Sequence, residues 1–108
     1  MRRGELWTVA GGMYAAKPRP ALVLQDDVFD LTESVTVAPL TSVLVDAPLL
    51  RYRVPATDVS GLGRASDVMV DKISTVRRGN VQTRVGRVSS QQMVDGERLV
   101  ATFLGLAR

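Results

Sequence analysis

The sequence predicts a mainly β protein with one C-terminal α-helix, a small and partly open β-barrel closed by that helix. Three observations point there. Short runs rich in Val, Thr and Leu recur between Gly, Pro, Asp and Ser punctuation from Glu5 to Val88. The strand-helix-strand rhythm of a parallel sheet is missing. A well-signalled helix is written only at the end of the chain, after Val88. With 108 residues, 45% of them hydrophobic, there is material for one core and no room for a second module.

Glu5 to Ala10, with Trp7, Thr8 and Val9, reads as a first strand ending at Gly11-Gly12. A Gly-rich loop carrying Tyr14 leads to Lys17-Pro18-Arg19-Pro20, and Ala21 to Gln25 is an apolar run too short for a helix, hence a buried strand. Asp26, Asp27, Asp30 and Glu33 surround Val28-Phe29, which suits a helical turn under an Asp cap. Val35 to Leu40 is β-branched, with Pro39 expected to make it an edge strand or a bulge just before Thr41-Ser42. Val43 to Val45 continues or begins a strand, and Asp46-Ala47-Pro48 turns into a strand over Leu49 to Val54. In that strand Arg51 and Arg53 share one face and Tyr52 takes the other. Ala65 to Val70 and Ile73 to Val76 are two short strands with Asp71-Lys72 at the bend between them, and Val81 to Val88 is a strand with a bulge at Gly86.

The helix start is the clearest local signal. Ser89 followed by Gln92 is a capping-box pattern, and Val88 with Met93 fits the accompanying hydrophobic staple. Met93, Leu99, Val100, Phe103 and Leu104 gather on one side for packing, and Gly105 supplies the stop.

Composition removes several chemistries. The chain has no Cys and no His, which excludes disulfides, thiolate nucleophiles, Ser-His-Asp triads and the usual catalytic zinc sets. Fourteen Lys and Arg against eleven Asp and Glu give a net charge of +3, which permits a polyanionic partner without requiring one. Met1-Arg2-Arg3 is followed by Gly4-Glu5 and not by an apolar run, and no segment approaches membrane-spanning length, so a cytoplasmic protein without membrane contact is expected. Gly61-Leu62-Gly63 lacks the strand-turn-helix context of a phosphate loop and reads as a turn.

The unusual stretch is Lys17-Pro18-Arg19-Pro20. Each proline fixes its own φ and pushes its predecessor toward extended structure, so the Arg19 guanidinium projects from a stiffened backbone. Either this pair of prolines simply starts a strand and blocks edge pairing, with Arg19 solvated, or the stiffness serves a site.

Four separated pieces decide in favour of a site. Arg3-Gly4-Glu5-Leu6-Trp7, Lys17-Pro18-Arg19-Pro20, Pro39-Leu40-Thr41-Ser42, and Ser66-Asp67-Val68 through Asp71-Lys72-Ile73-Ser74-Thr75-Val76 together resemble the MazF/PemK toxin family, and the closing Leu104-Gly105-Leu106 fits as well. Each motif is short, but their order and spacing cover nearly the whole chain as a single toxin domain over residues 1–108. The resemblance implies an SH3-like barrel shared with CcdB, a homodimer, a cognate acidic antitoxin of the MazE type, and cleavage of single-stranded RNA with no cofactor or metal. It also implies Arg19 and Thr41 as the catalytic pair. Asp71 is the candidate base by the same analogy, the alternative being an apex Asp that bonds its own turn.

The chemistry fits these residue types. RNA is cut when its own 2′-hydroxyl attacks the neighbouring phosphorus, leaving a 2′,3′-cyclic phosphate and a 5′-hydroxyl, and the protein supplies alignment and charge stabilisation. A guanidinium grips two phosphate oxygens at once, and Thr41 adds a hydrogen-bond donor. Because Arg holds its proton, its role is mainly electrostatic, with protonation of the leaving group open to it only in a site that perturbs it strongly. RNA contacts are expected from Tyr14, which either stacks a base or packs down, and from Lys17, Ser42, Arg51, Arg53, Lys72 and Arg77. Arg78, Arg84 and Arg87 are further cations that either line the same groove or are simply solvated. The loop between Trp7 and Lys17 is shorter than is common in the family, and Lys72 stands where the family commonly has Gln. Two other readings are a CcdB-like gyrase poison on the same fold, for which the Arg-Thr pair would be unneeded, and a silent barrel that only binds RNA or a partner.

Overall fold

The computed structural model describes residues 1–10 and 17–107; the loop carrying Tyr14 lies outside them. Among the described residues there are seven strands, β1 (Glu5–Val9), β2 (Arg19–Val23), β3 (Ser34–Thr41), β4 (Arg51–Val54), β5 (Ser66–Met69), β6 (Ser74–Arg77) and β7 (Val81–Arg87), followed by helix α1 (Ser90–Phe103). Every pairing is antiparallel, in the order β4-β5-β3-β2-β1-β7, with β6 also on β3. The far edges are drawn together where the Arg87 N–H donates to the Val59 carbonyl at 3.0 Å. A side chain at Gly86 would collide with the Ser60 carbonyl there, which is why the strand needs glycine at this crossing. The β1–β7 register slips past Val85, next to the bulge expected at Gly86.

Both faces of β1–β3 carry apolar packing, which accounts for the unbroken apolar run of β2. On the inner face Leu6, Leu22, Ala38, Leu40, Val54, Val68, Val70 and Val88 form the main core, joined by Tyr52 and by Met93, Leu99 and Val100 of α1. On the other face Ala21, Val23, Val35 and Val37 pack with Trp7, Val9, Val76 and Val81. Truncating a fully buried leucine such as Leu22 in cores of this kind costs about 2–5 kcal/mol.

The helix begins as its sequence dictates, with Ser89 and Gln92 exchanging both capping-box bonds at 3.1 and 2.7 Å. It ends before Gly105, whose φ of 75° only glycine adopts cheaply. Asp26 caps the expected turn, a 3₁₀ turn over Asp27–Phe29. Phe103 and Leu104, however, stand exposed, so the packing face is narrower than the apolar periodicity indicates.

Three strand expectations are corrected. β2 starts at Arg19, two residues early, because Thr8 and Val9 pair with Pro20 and Arg19. Pro39 lies inside the central strand β3, neither at an edge nor in a bulge. Its partners explain the tolerance: the β6 ladder ends at Val37↔Ser74, the β5 ladder begins at Leu40↔Val68, and the 3₁₀ turn Val70–Lys72 fills the gap, so no hydrogen bond is required of residue 39. Val43 to Val45 forms no strand and Leu49 to Leu50 is a turn, because the backbone of residues 42–50 bonds to side chains and to its own turn, with Val45 N–H on Asp67 and Leu50 N–H on the Ala47 carbonyl, and to no strand ladder.

Candidate active site

The end of the second apolar face holds the predicted pair. The β2–β3 ladder runs from Val23↔Val37 to Ala21↔Pro39, and Arg19 and Thr41 each lie two residues beyond its last pair. Neighbouring strands lie about 4.8 Å apart, so side chains on one face at the ends of adjacent strands can reach a common phosphate. On their other sides Val9 pairs with Arg19, Thr41 with Asp67, and Asp67 with Arg53.

Arg19 is exposed and, among the described residues, has no ion-pair or hydrogen-bond partner. Its guanidinium is available to an anion. Thr41 is half-buried, and its Oγ1 accepts the Val43 N–H at 3.1 Å. With one lone pair engaged, the hydroxyl still has its proton to donate. Lys17 and Ser42 stand exposed beside these two.

Arg51 and Arg53 share a face opposite Tyr52, as period two requires, but neither is idle. Arg53 Nε donates to Asp67 Oδ1 at 3.1 Å, and Arg51 Nη1 donates to the Val43 carbonyl at 3.2 Å. Arg84 is taken by Glu5 at 2.7 Å, and Arg78 Nε donates to the Thr32 carbonyl at 2.7 Å. Arg77 and Arg87 are exposed.

Asp71 sits in the 3₁₀ turn between β5 and β6. It does not bond its own turn: Oδ1 is buried without a hydrogen-bond partner, and Oδ2 has only Lys72 Nζ at 3.8 Å. Among the described residues no hydrogen bond or ion pair links Asp71 to Arg19 or Thr41.

Two residues without a role in the sequence reading matter to the geometry. Asp67 is buried between Thr41 and Arg53, and nothing local signals this, because its neighbours come from register alone. Glu5 anchors the first strand: burial works against its charge, but hydrogen bonds from Arg84, the Arg2 N–H and Trp7 Nε1 hold its carboxyl below the usual glutamate range.

A small antiparallel barrel closed by one helix, with an exposed arginine at the start of β2 and a threonine at the end of β3, defines an SH3-like barrel. The profile of the PemK-like, MazF-like toxins of type II toxin-antitoxin systems matches residues 2–104. The chain belongs to this family. It is 49% identical over 108 residues to a probable endoribonuclease MazF of Mycolicibacterium smegmatis, covering 99% of both chains. Its fold is shared with the Mycobacterium tuberculosis toxin MazF-mt6 at a TM-score of 0.82 and 23% identity, covering 96% of this chain and 99% of that one. A MazE-MazF structure from Deinococcus radiodurans superposes at 0.80 with 18% identity, covering 99% and 97%.

Proposed function

We propose that this protein is a metal-independent endoribonuclease toxin that cuts single-stranded RNA at the Arg19–Thr41 pair. The observation that carries the reading is an Arg19 guanidinium without an ion-pair or hydrogen-bond partner among the described residues, at the start of β2, beside Thr41 at the end of the adjacent strand β3, in a chain that matches a probable endoribonuclease along its whole length. The ribose 2′-oxygen bonds to phosphorus as its proton leaves, the bond from phosphorus to the 5′-oxygen breaks, and that oxygen departs as a 5′-hydroxyl once protonated. Arg19 grips the non-bridging oxygens as charge builds on them, and Thr41 donates to the same group. Asp71, with a buried unpartnered oxygen, is the candidate base for the 2′-hydroxyl. Lys17, Ser42, Arg51, Arg53, Lys72 and Arg77 supply phosphate or base contacts along the flanking strand, and Tyr14 stacks a base.

The active species is a cytoplasmic homodimer of single-domain chains, silenced by an acidic antitoxin that occupies the same positive surface. A related structure, an endoribonuclease in complex with its cognate antitoxin from mycobacterial species, supports the partner. No helix among the described residues is long and apolar enough to cross a membrane.

The test is to incubate the purified protein and its Arg19→Ala variant with a long natural RNA in the presence of a chelator and to map the new 5′ ends. Wild type should give discrete 5′-hydroxyl ends, and the variant should be slower by about 100- to 1000-fold. Intact RNA with wild type, or equal cutting by the variant, would sink the reading.

A further inference from the structure

Asp67 is the most buried charge among the described residues, with its side chain 2% exposed. A carboxylate taken out of water costs several kcal/mol unless it is paired and hydrogen-bonded. Half of its compensation is the Arg53 Nε contact, from a guanidinium that is itself 52% exposed. The other half is backbone: Oδ2 accepts the Val45 N–H at 3.2 Å.

That second bond bears on Thr41. None of the apolar side chains in the segment after β3 is buried in the core: Val43, Leu44 and Val45 are 69, 44 and 48% exposed. Its hold on the sheet consists of hydrogen bonds: Val43 N–H to Thr41 Oγ1, Arg51 Nη1 to the Val43 carbonyl, and Val45 N–H to Asp67. Asp67 faces Thr41 across the β3–β5 ladder, so these contacts close a ring around the Thr41 side chain. Release of Val45 frees the strap carrying the Val43 N–H, and Thr41 Oγ1 then loses the bond that holds it in place.

We infer that Asp67 is a positioning residue for cleavage: by holding the Val45 N–H it fixes the 42–45 strap and thereby sets Thr41 Oγ1 as a phosphate donor. The inference rests on the function proposed above.

The test measures kcat and KM on a fluorogenic oligoribonucleotide containing the sequence that wild type cuts, for Asp67→Asn, Thr41→Ala, the double variant, and Val45→Pro, which deletes the N–H and leaves the Asp67–Arg53 pair. Asp67→Asn should lose about 10- to 100-fold in kcat with KM changed by less than about threefold. The double variant should be no slower than Thr41→Ala alone, and Val45→Pro should repeat both results. A double variant whose loss is the product of the two single losses overturns the inference, as does a wild-type rate in Asp67→Asn or Val45→Pro. If Asp67→Asn does not fold, Val45→Pro decides alone. Wild-type cleavage by Thr41→Ala overturns this inference together with the clamp itself, whereas a slow Thr41→Ala beside an unaffected Val45→Pro overturns only the inference.

Discussion

Glu5 shows how a single side chain can tie a strand to the pH scale. Its carboxylate receives Arg84 Nε, Trp7 Nε1 and the Arg2 N–H, and these bonds outweigh the burial that would favour the neutral acid. A carboxyl held below its ordinary value stabilises the fold fully above that value, here 4.5, and loses the contribution as pH falls through the lower folded value. The expected result is that urea midpoints of wild type and Glu5→Gln converge as pH drops from about 6 toward 3. A constant gap across that range would contradict the assignment. At this scale the sequence is legible where chemistry is local. Arg19 between two prolines and Thr41 after Pro39-Leu40 announce themselves by type and flanks. Asp67 does not, because its burial and its grip on Val45 follow from which strand lies beside which.

Helix α1 and its seat make the case at the scale of elements. Its start is legible because a capping box is completed within four residues, Ser89 to Gln92. Its seat is not, since it depends on Tyr52 from β4, whose hydroxyl lies against Gly96. A Cβ on Gly96 would stand 2.6 Å from Tyr52 Oη, so the close approach of helix and strand requires glycine. Gly96→Ala should gain helix propensity yet lose stability by about 1–3 kcal/mol through overpacking, read as a lowered urea midpoint. An unchanged or raised midpoint would show that the helix can shift away at no cost. The same distinction explains Pro39 and Val43 to Val45. A proline inside a central strand is tolerated only because two partner ladders meet opposite it, and the Val43 to Val45 run lacks a neighbouring strand despite its β-branched composition.

For the whole molecule, a net charge of +3 conceals an asymmetry along β2. Lys17 and Arg19 stand at its start, whereas Asp26, Asp27 and Asp30 follow its end, about 17 Å away for a five-residue strand. RNA approaching the proposed site therefore meets the basic end. Affinity for an RNA made uncleavable by a 2′-deoxy substitution should fall with salt on a log-log plot with a slope of about −1.4 to −2.8, the range for two to four phosphates on a single strand. A slope near zero would remove phosphate contact from the mechanism. The fold class was legible from spacing and composition, because short strands, turns and one late helix admit few packings. The order of the strands came only from the structure, since pairing between remote segments leaves little trace in either one.

Arg19 pairs with Val9 and Thr41 with Asp67, so each position is set by strand pairing and not by the connecting loops. On the function proposed above, cutting is thereby separated from choosing: loops that meet the bases can be rewritten for new target sequences while the bond-breaking geometry stays in the sheet.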